Sequence, residues 1–374
     1  LMEKARKYYR RQDESNGESV IHRSARGDLM EGRMKKAEYV IGIDVGDESL
    51  SVAVTRGADG AGLVECSVSN DSEGFEELGG WLSKHQATVN NAAFCLEATG
   101  VYGERLCYYL CSRGFRVAVE PPLKVKRAFA QSAHKNDTVD ARQIAEYGHR
   151  FFDELSWWTP PAAILEQMKV LLSAREQFTS QKIANVNALK ALERKTVTTR
   201  IAIQAYEHAI ARLAENIKEI DQEIKRLVKN DDSFHRLITT LTSTPGIGML
   251  LAANLVVMTN GFTRTANHKQ LASYTGISPI EHTSGSSVYR RPRSRRFGPS
   301  RMRKLLYLAA MSVATHNPEF RRYYLRKVAE GKPKRLVLNN VANKLLKVVC
   351  ALVRSESAYI PNYKSVQPLF LKTA

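Results

Sequence analysis

Acidic side chains are scarce in the last third of this 374-residue sequence. Between Ser284 and Arg354 only Glu319 and Glu330 are acidic, against 18 of the chain's 56 Lys and Arg. That stretch carries +16 of the formal net charge of +18, and the remainder is close to neutral. A merely solubilising surface mixes both signs, whereas a block of one sign is what a polyphosphate partner requires. Cysteine is also sparse. Cys66, Cys95, Cys107, Cys111 and Cys350 are odd in number and scattered. They exclude a disulfide framework, show no zinc spacing and fit a reducing, cytoplasmic setting. No run of about 18 uncharged apolar residues occurs, so neither a spanning helix nor a membrane partner is expected. The polar N-terminus has no signal-peptide core. With 43% hydrophobic and 25% charged residues, the composition is globular and the length suits two or three domains.

Residues 1–37 read as a polar extension without periodicity, foreign to the fold or disordered, with Met34 as a candidate start. From Tyr39 the pattern gives three strands (39–45, 50–54, 63–68), a helix over 71–85 capped by Asp71, and a strand over 92–96 ending at Glu97. A helix over 102–113, a strand over 115–119 and helices over 124–132 and 137–151 follow. This order predicts an α/β domain with a mixed sheet over 38–158. Pro160-Pro161 marks a boundary. Helices over 162–192 and 200–228 predict a coiled-coil hairpin over 159–235, its seam formed by Ile203, Tyr206, Ile210, Leu213, Ile217, Ile220, Ile224 and Leu227. Such a hairpin is a local spacer or an oligomerisation arm. A mainly α-helical domain over 236–356 has helices at 249–258, 267–274, 299–316 and 337–353, and a polar loop or hairpin after Ile277. Residues 357–374 form a tail.

Four carboxylates stand out. Asp44 ends a very apolar strand, where burial is costly unless a cation or hydrogen bonds compensate it. Glu97 ends a second apolar strand. Asp137 and Asp140, three apart at a helix start, share a face. Each has a plainer reading, as a helix cap, a partner of the helix dipole or a turn former. Together they suit a hard cation, Mg²⁺ with Mn²⁺ as an alternative, as used in two-ion phosphoryl transfer. Their order resembles the RNase H/RuvC nuclease layout. The actin-like kinase fold also opens with Gly-Ile-Asp-x-Gly, but the second Asp-x-Gly-Gly phosphate loop it needs is missing from this sequence.

Further along, Pro245-Gly246-Ile247-Gly248 before an apolar helix reads as an ordinary helix start or as a helix-hairpin-helix turn, whose amides at Gly246 and Gly248 would contact a DNA phosphate. Ser284-Gly285-Ser286-Ser287 is by default a flexible turn. It lies, however, against the densest basic cluster of the chain: Arg290, Arg291, Arg293, Arg295, Arg296, Arg301, Arg303 and Lys304. Arginines hold phosphodiesters bidentately and stabilise growing charge. A serine needs its proton removed to attack, and chemistry alone does not choose among Ser284, Ser286 and Ser287.

In the order Gly42-Ile-Asp44-Val, Leu96-Glu97-Ala-Thr-Gly, Lys135-Asn136-Asp137-Thr-Val-Asp140-Ala-Arg, Pro245-Gly-Ile-Gly, His282-Thr-Ser284-Gly, Gly298-Pro-Ser-Arg and Gly331-Lys-Pro-Lys, the chain resembles the IS110-family transposases, the DEDD class of insertion-sequence recombinases. Asn136 departs from the usual Thr or Ser. The resemblance implies that Asp44, Glu97, Asp137 and Asp140 form the metal site of a RuvC-like domain, and that Ser284 makes a covalent phosphoserine link to DNA. Mg²⁺ would acidify its hydroxyl and stabilise the transition state. It also implies donor and target double-stranded DNA, a structured guide RNA from the element, and a homotetramer (a dimer of dimers) in which the acids of one subunit work with the serine of another, at the nucleoid of a bacterial or archaeal cell. The nearest alternative is a RuvC-like nuclease with water as nucleophile. A non-enzymatic nucleic-acid binder on a decayed fold is disfavoured because all four acids are present.

Overall fold

The computed structural model describes residues 36–56, 64–98, 100–129, 137–265, 267–284, 288–294 and 298–362. The N-terminal extension and most of the tail therefore lie outside the described residues. The chain divides into two compact units between Pro160 and Pro161.

The first unit is built on a mixed five-stranded sheet of order β3-β2-β1-β4-β5: β1 Tyr39–Val45, β2 Ser49–Arg56, β3 Val64–Ser69, β4 Ala92–Glu97 and β5 Arg116–Glu120. β1, β2 and β3 pair antiparallel, while β1–β4 and β4–β5 are parallel. Side chains alternate between the faces of a strand. Tyr39, Ile41, Ile43 and Val45, with Phe94 and Leu96, enter the core under α1 (Ser72–Lys84) and α2 (Glu104–Ser112). Val40, Ala93, Cys95 and Ala118 enter the core on the other face, with Val125 of α3 (Pro122–Ala128) and Ile144 and Tyr147 of α4 (Asp137–Arg150).

Small residues bring α4 down onto the sheet. A Cβ at Gly42 would collide with the backbone of Ala141 and Ala145, and one at Gly148 would lie 2.8 Å from Val40 Cγ1. The pairing of 42 with 141–145 and of 40 with 148 makes α4 antiparallel to β1. Its N-terminus therefore stands at the carboxyl ends of the parallel strands. Arg142 is doubly hydrogen-bonded to Glu65 on β3, which ties the N-terminal half of α4 to the sheet. Asp71 caps α1, accepting from Gly74 N at 2.9 Å, as the sequence predicts. By contrast, α3 starts and ends earlier than the predicted 124–132. Pro122 occupies its first turn, and Phe129 beyond it is extended.

The second unit is helical: α5 Ala163–Leu192, α6 Arg200–Lys229, α7 Asp232–Thr242, α8 Met249–Thr259, α9 His268–Tyr274, α10 Ser300–His316, α11 Pro318–Ala329 and α12 Lys334–Ser355, with a two-stranded hairpin, β6 Pro279–Ser284 and β7 Val288–Ser294, between α9 and α10. α5 and α6 pack on each other over their length, joined at 193–199. Along the apolar seam of α6 only Ile224, near the C-terminal end, is fully buried; the remainder is half covered. α8 is apolar all round and sits in the core with Leu172, Leu241, Leu306, Val341 and Leu345. α12 is long and apolar enough to cross a membrane by length and composition, but Val341, Leu345, Leu346 and Val349 are buried in this core. α11 is absent from the sequence prediction; it is basic and buries only Phe320.

Candidate active site

The acids of the first unit gather at one edge. Asp44 shares its strand face with Val40 and Gly42, and Glu97 shares its own with Ala93 and Cys95, so both lie on the α4 side. Ile43 pairs with Leu96, which places Asp44 and Glu97 at equivalent heights on neighbouring parallel strands. Asp140 lies in the first turn of α4. Burial pushes the Glu97 carboxyl above the usual carboxylate range; Lys126 opposes that rise, and the negative charges of Asp44 and Asp140 add to it. Asp44 and Asp140 are thus close enough to Glu97 for their charges to act on its carboxyl. Asp137 opens α4, three residues before Asp140, but its side chain lies outside the described residues. Among the described residues, no three His, Cys, Asp or Glu are gathered tightly enough to hold an ion by themselves. The mutual repulsion is nevertheless what a bound cation would relieve, and an all-oxygen donor set is what a hard divalent ion prefers.

Residues that sequence reasoning passed over frame this edge. Asn70, just after β3, donates from Nδ2 to the Gly46 carbonyl at 2.8 Å and the Tyr102 carbonyl at 3.2 Å. It ties the turn after Asp44 to the loop after Glu97. Glu120, opposite Glu97 on β5, is fully buried, paired with Lys124 at 2.9 Å, and accepts from Ser156 N at 2.7 Å. Lys126, on the exposed side of α3, is the cation nearest in effect to Glu97. The Leu-Lys-Val-Lys-Arg run after Pro121-Pro122 was its only sequence signal.

In the second unit Ser284 closes β6, paired with Val288 across the hairpin; its side chain and the turn residues 285–287 lie outside the described residues. Arg290 pairs with His282 and Arg293 with Ile280. Arg291 and Pro292 together face Glu281, a bulge that suits a proline unable to donate to the ladder. The side chains of Arg290, Arg291 and Arg293, and all of Arg295 and Arg296, lie outside the described residues. The hairpin is clamped at its base. Asn339 and Asn343 of α12 donate from Nδ2 to the Ile277 carbonyl at 2.8 and 3.3 Å. On the returning side Gly298, at φ +98°, lies against the Tyr274 carbonyl where no side chain fits, and Arg303 Nη1 donates to Gly298 O at 3.0 Å.

Arg301 turns inward. Its Nη1 donates to Leu172 O at 2.6 Å, Nε lies 3.7 Å from Glu176, and the side chain is 19% exposed. Burial lowers its basicity, with Glu176 opposing. This placement makes Arg301 a brace between α10 and α5, whereas Lys304, 3.9 Å from the same Glu176, stays largely exposed. Gly246, at φ +78°, packs against Val313 and Ala309 of α10, so its lack of a side chain serves packing. Gly248 is open, and no side chain caps α8 behind it.

Comparison with known proteins places these features in a common setting. Residues 41–197 match the DEDD transposase family of IS110 type, described as "Transposase", and residues 238–325 match the family described as "Transposase IS116/IS110/IS902 family". The pilin gene-inverting protein of Moraxella bovis is 27% identical over 299 residues, covering 79% of this chain and 90% of that protein. The insertion element IS110 protein of Streptomyces coelicolor is 28% identical over 164 residues, covering 44% and 39%. The transposase for insertion sequence element IS1328 of Yersinia enterocolitica is 24% identical over 226 residues, covering 54% and 65%.

Proposed function

Because this chain belongs to the IS110 transposase family and is a DNA transposase, we propose that it cuts and rejoins DNA through a covalent serine–DNA intermediate, guided by a structured RNA. The observation carrying the catalytic half is the convergence of Asp44, Glu97 and Asp140 at one sheet edge, with Asp137 completing the set at the start of α4. The sheet order, with an acid next to the end of the central strand and another closing its parallel neighbour, supports a RuvC-like reading of this unit.

Asp44, Glu97, Asp137 and Asp140 would hold Mg²⁺ or Mn²⁺, which supplies charge neutralisation at the scissile phosphate and acidifies the attacking hydroxyl. Ser284 Oγ attacks phosphorus. A phosphoserine diester forms, one deoxyribose hydroxyl leaves, and the serine proton goes to that leaving group or to solvent. Attack by a hydroxyl of the incoming strand reverses the step, so bond energy is stored and no external energy source is needed. Arg290, Arg291, Arg293, Arg295, Arg296, Arg303 and Lys304, with the backbone amides at the exposed Gly246 and Gly248, grip the DNA backbone, or DNA and guide RNA. The half-covered seam of α6 supports assembly of the α5–α6 hairpin as a coiled coil in a homotetramer, in which the acids and the serine at one phosphate come from different subunits.

The gene inversion in the name of the Moraxella relatives favours breaking and rejoining over hydrolysis by water. The decisive test incubates the protein, RNA transcribed from the element's flank and element-junction DNA with Mg²⁺, then maps any peptide–DNA adduct. An adduct at Ser284 that needs RNA and disappears in Ser284→Ala is expected. Adduct formation by Ser284→Ala, or cleavage with no adduct at all, would sink the nucleophile.

A further inference from the structure

The acid edge carries a second chemical feature. Among the described residues of the first unit, four large hydrophobic side chains are exposed: Val89 (40%), Val101 (71%), Tyr102 (45%) and Leu123 (54%). Three of them lie on the two connections that leave β4 and β5 at their carboxyl ends. β4 and β5 are parallel neighbours, so both connections leave the edge that carries Asp44 and Glu97. Single exposed hydrophobics are ordinary, but a group concentrated on the edge where α/β sheets bind ligands is not expected by chance.

The backbone at Tyr102 is tied to the turn after Asp44, because Asn70 donates to both the Tyr102 and the Gly46 carbonyls. Leu123 stands in the first turn of α3, behind Pro122 at its start. A backbone held in a hydrogen bond or a helix has already lost part of the entropy that a binding loop would otherwise lose on contact.

We infer that Val101, Tyr102 and Leu123 form an apolar rim that receives unstacked bases of the DNA strand whose phosphate lies at the acids. This rests on the reading of the acids given above. The surroundings choose the occupant. A lipid or an apolar protein face would cover the neighbouring carboxylates without compensating them. A nucleic-acid strand offers both chemistries at once, an anionic backbone for Lys126 and a cation at the acids, and flat apolar bases for the rim. Aromatic stacking on bases is indifferent to sequence, and strands being exchanged must leave their duplex, which exposes those faces.

The test uses the full chain with Ca²⁺ in place of Mg²⁺, so that a hard cation is present at the acids, and a DNA duplex with one bulged 2-aminopurine. Wild-type protein quenches the bulged base. Tyr102→Ala loses the quench and binds the bulged duplex about tenfold more weakly, Tyr102→Phe keeps both, and Leu123→Ser shifts both in the same direction by less. All four bind a fully paired duplex equally, and their circular dichroism and denaturant unfolding match, which reports an intact fold in both units. Wild-type quenching by Tyr102→Ala overturns the rim, as does a quench seen only with the matching RNA bulge. If Tyr102→Ala fails to fold, unchanged quenching by Leu123→Ser overturns it instead. Cleavage in Mg²⁺ is scored separately: a Tyr102-dependent quench in a protein that never cuts DNA would remove the proposed chemistry and leave the rim standing.

Discussion

The two units hold their reactive groups by opposite means. In the first, Asp44 is the penultimate residue of β1 and Glu97 the last of β4, both buried strands, so the register of a hydrophobic sheet sets their separation. In the second, Ser284 lies on a two-stranded hairpin, and what fixes that hairpin is a clamp at its base: two asparagines, one glycine and one arginine. The difference follows from charge. Carboxylates that must converge need a frame that offsets their repulsion, and only a packed core provides it. A basic hairpin meant for a polyanion can reach out from the core, because its partner supplies the compensating charge.

The sharpest break in this comparison removes chemistry from one unit and leaves its frame. Asp44→Asn keeps the shape and deletes a charge. Strand cleavage should fall by about 10³-fold or more, the scale at which electrostatic stabilisation of phosphoryl transfer acts, while circular dichroism and binding to paired DNA stay as in wild type. Retained cleavage would mean that the acids at this edge are structural.

A second break attacks the frame itself. Gly42 is where α4 touches β1, and a methyl group there meets the backbone of Ala141 and Ala145. Backbone cannot rotate aside as a side chain can. Gly42→Ala should cost about 3 kcal/mol or more in denaturant unfolding of the sheet unit, and activity should fall with the lost alignment of Asp140. The counterpart in the second unit is milder. Asn339→Leu with Asn343→Leu leaves the Ile277 carbonyl without its two donors, at a cost of about 1–3 kcal/mol. Yield of the serine adduct should drop while binding to paired DNA persists. If the adduct is unaffected, the hairpin is positioned by DNA and not by its base.

How far the sequence alone reached follows the same division. The sheet was legible because Tyr39–Val45 and Ala92–Glu97 are apolar runs with an acid at or next to their last position, and a carboxylate there has few cheap explanations. The residues framing the site were not. Asn70 meets the Gly46 and Tyr102 carbonyls 24 and 32 positions away in sequence, and Arg301 meets Leu172 across 129. Arg301 reads as one more cation in a basic cluster until the α5 carbonyl that holds it is seen. α11 did carry a signal, since Asn317-Pro318-Glu319 is a cap, a first-turn proline and a first-turn acid, and Asn317 accepts from Glu319 N and Phe320 N. It was passed over because a helix that buries one residue shows little apolar period.

The smallest expected effect tests the frame-and-charge argument most directly, because its sign is counterintuitive. Glu97 is held above its ordinary acidity range in the folded protein, chiefly by burial and further by Asp44 and Asp140, with Lys126 opposing. A carboxyl whose folded pKa exceeds its unfolded value binds protons more readily when folded. Its favourable contribution is complete below the unfolded pKa and is lost as pH rises through the folded one. At neutral pH in chelator, Glu97 is therefore a net burden on the fold. Glu97→Gln should raise the melting temperature slightly at pH 7 and narrow that gain toward pH 4, while cutting cleavage about as severely as Asp44→Asn. Divalent ion should then stabilise the wild type more than Glu97→Gln, because only the wild type has the repulsion that a cation relieves. A Glu97→Gln protein less stable than wild type in chelator at pH 7 would show that hydrogen bonding, not repulsion among the acids, governs this edge.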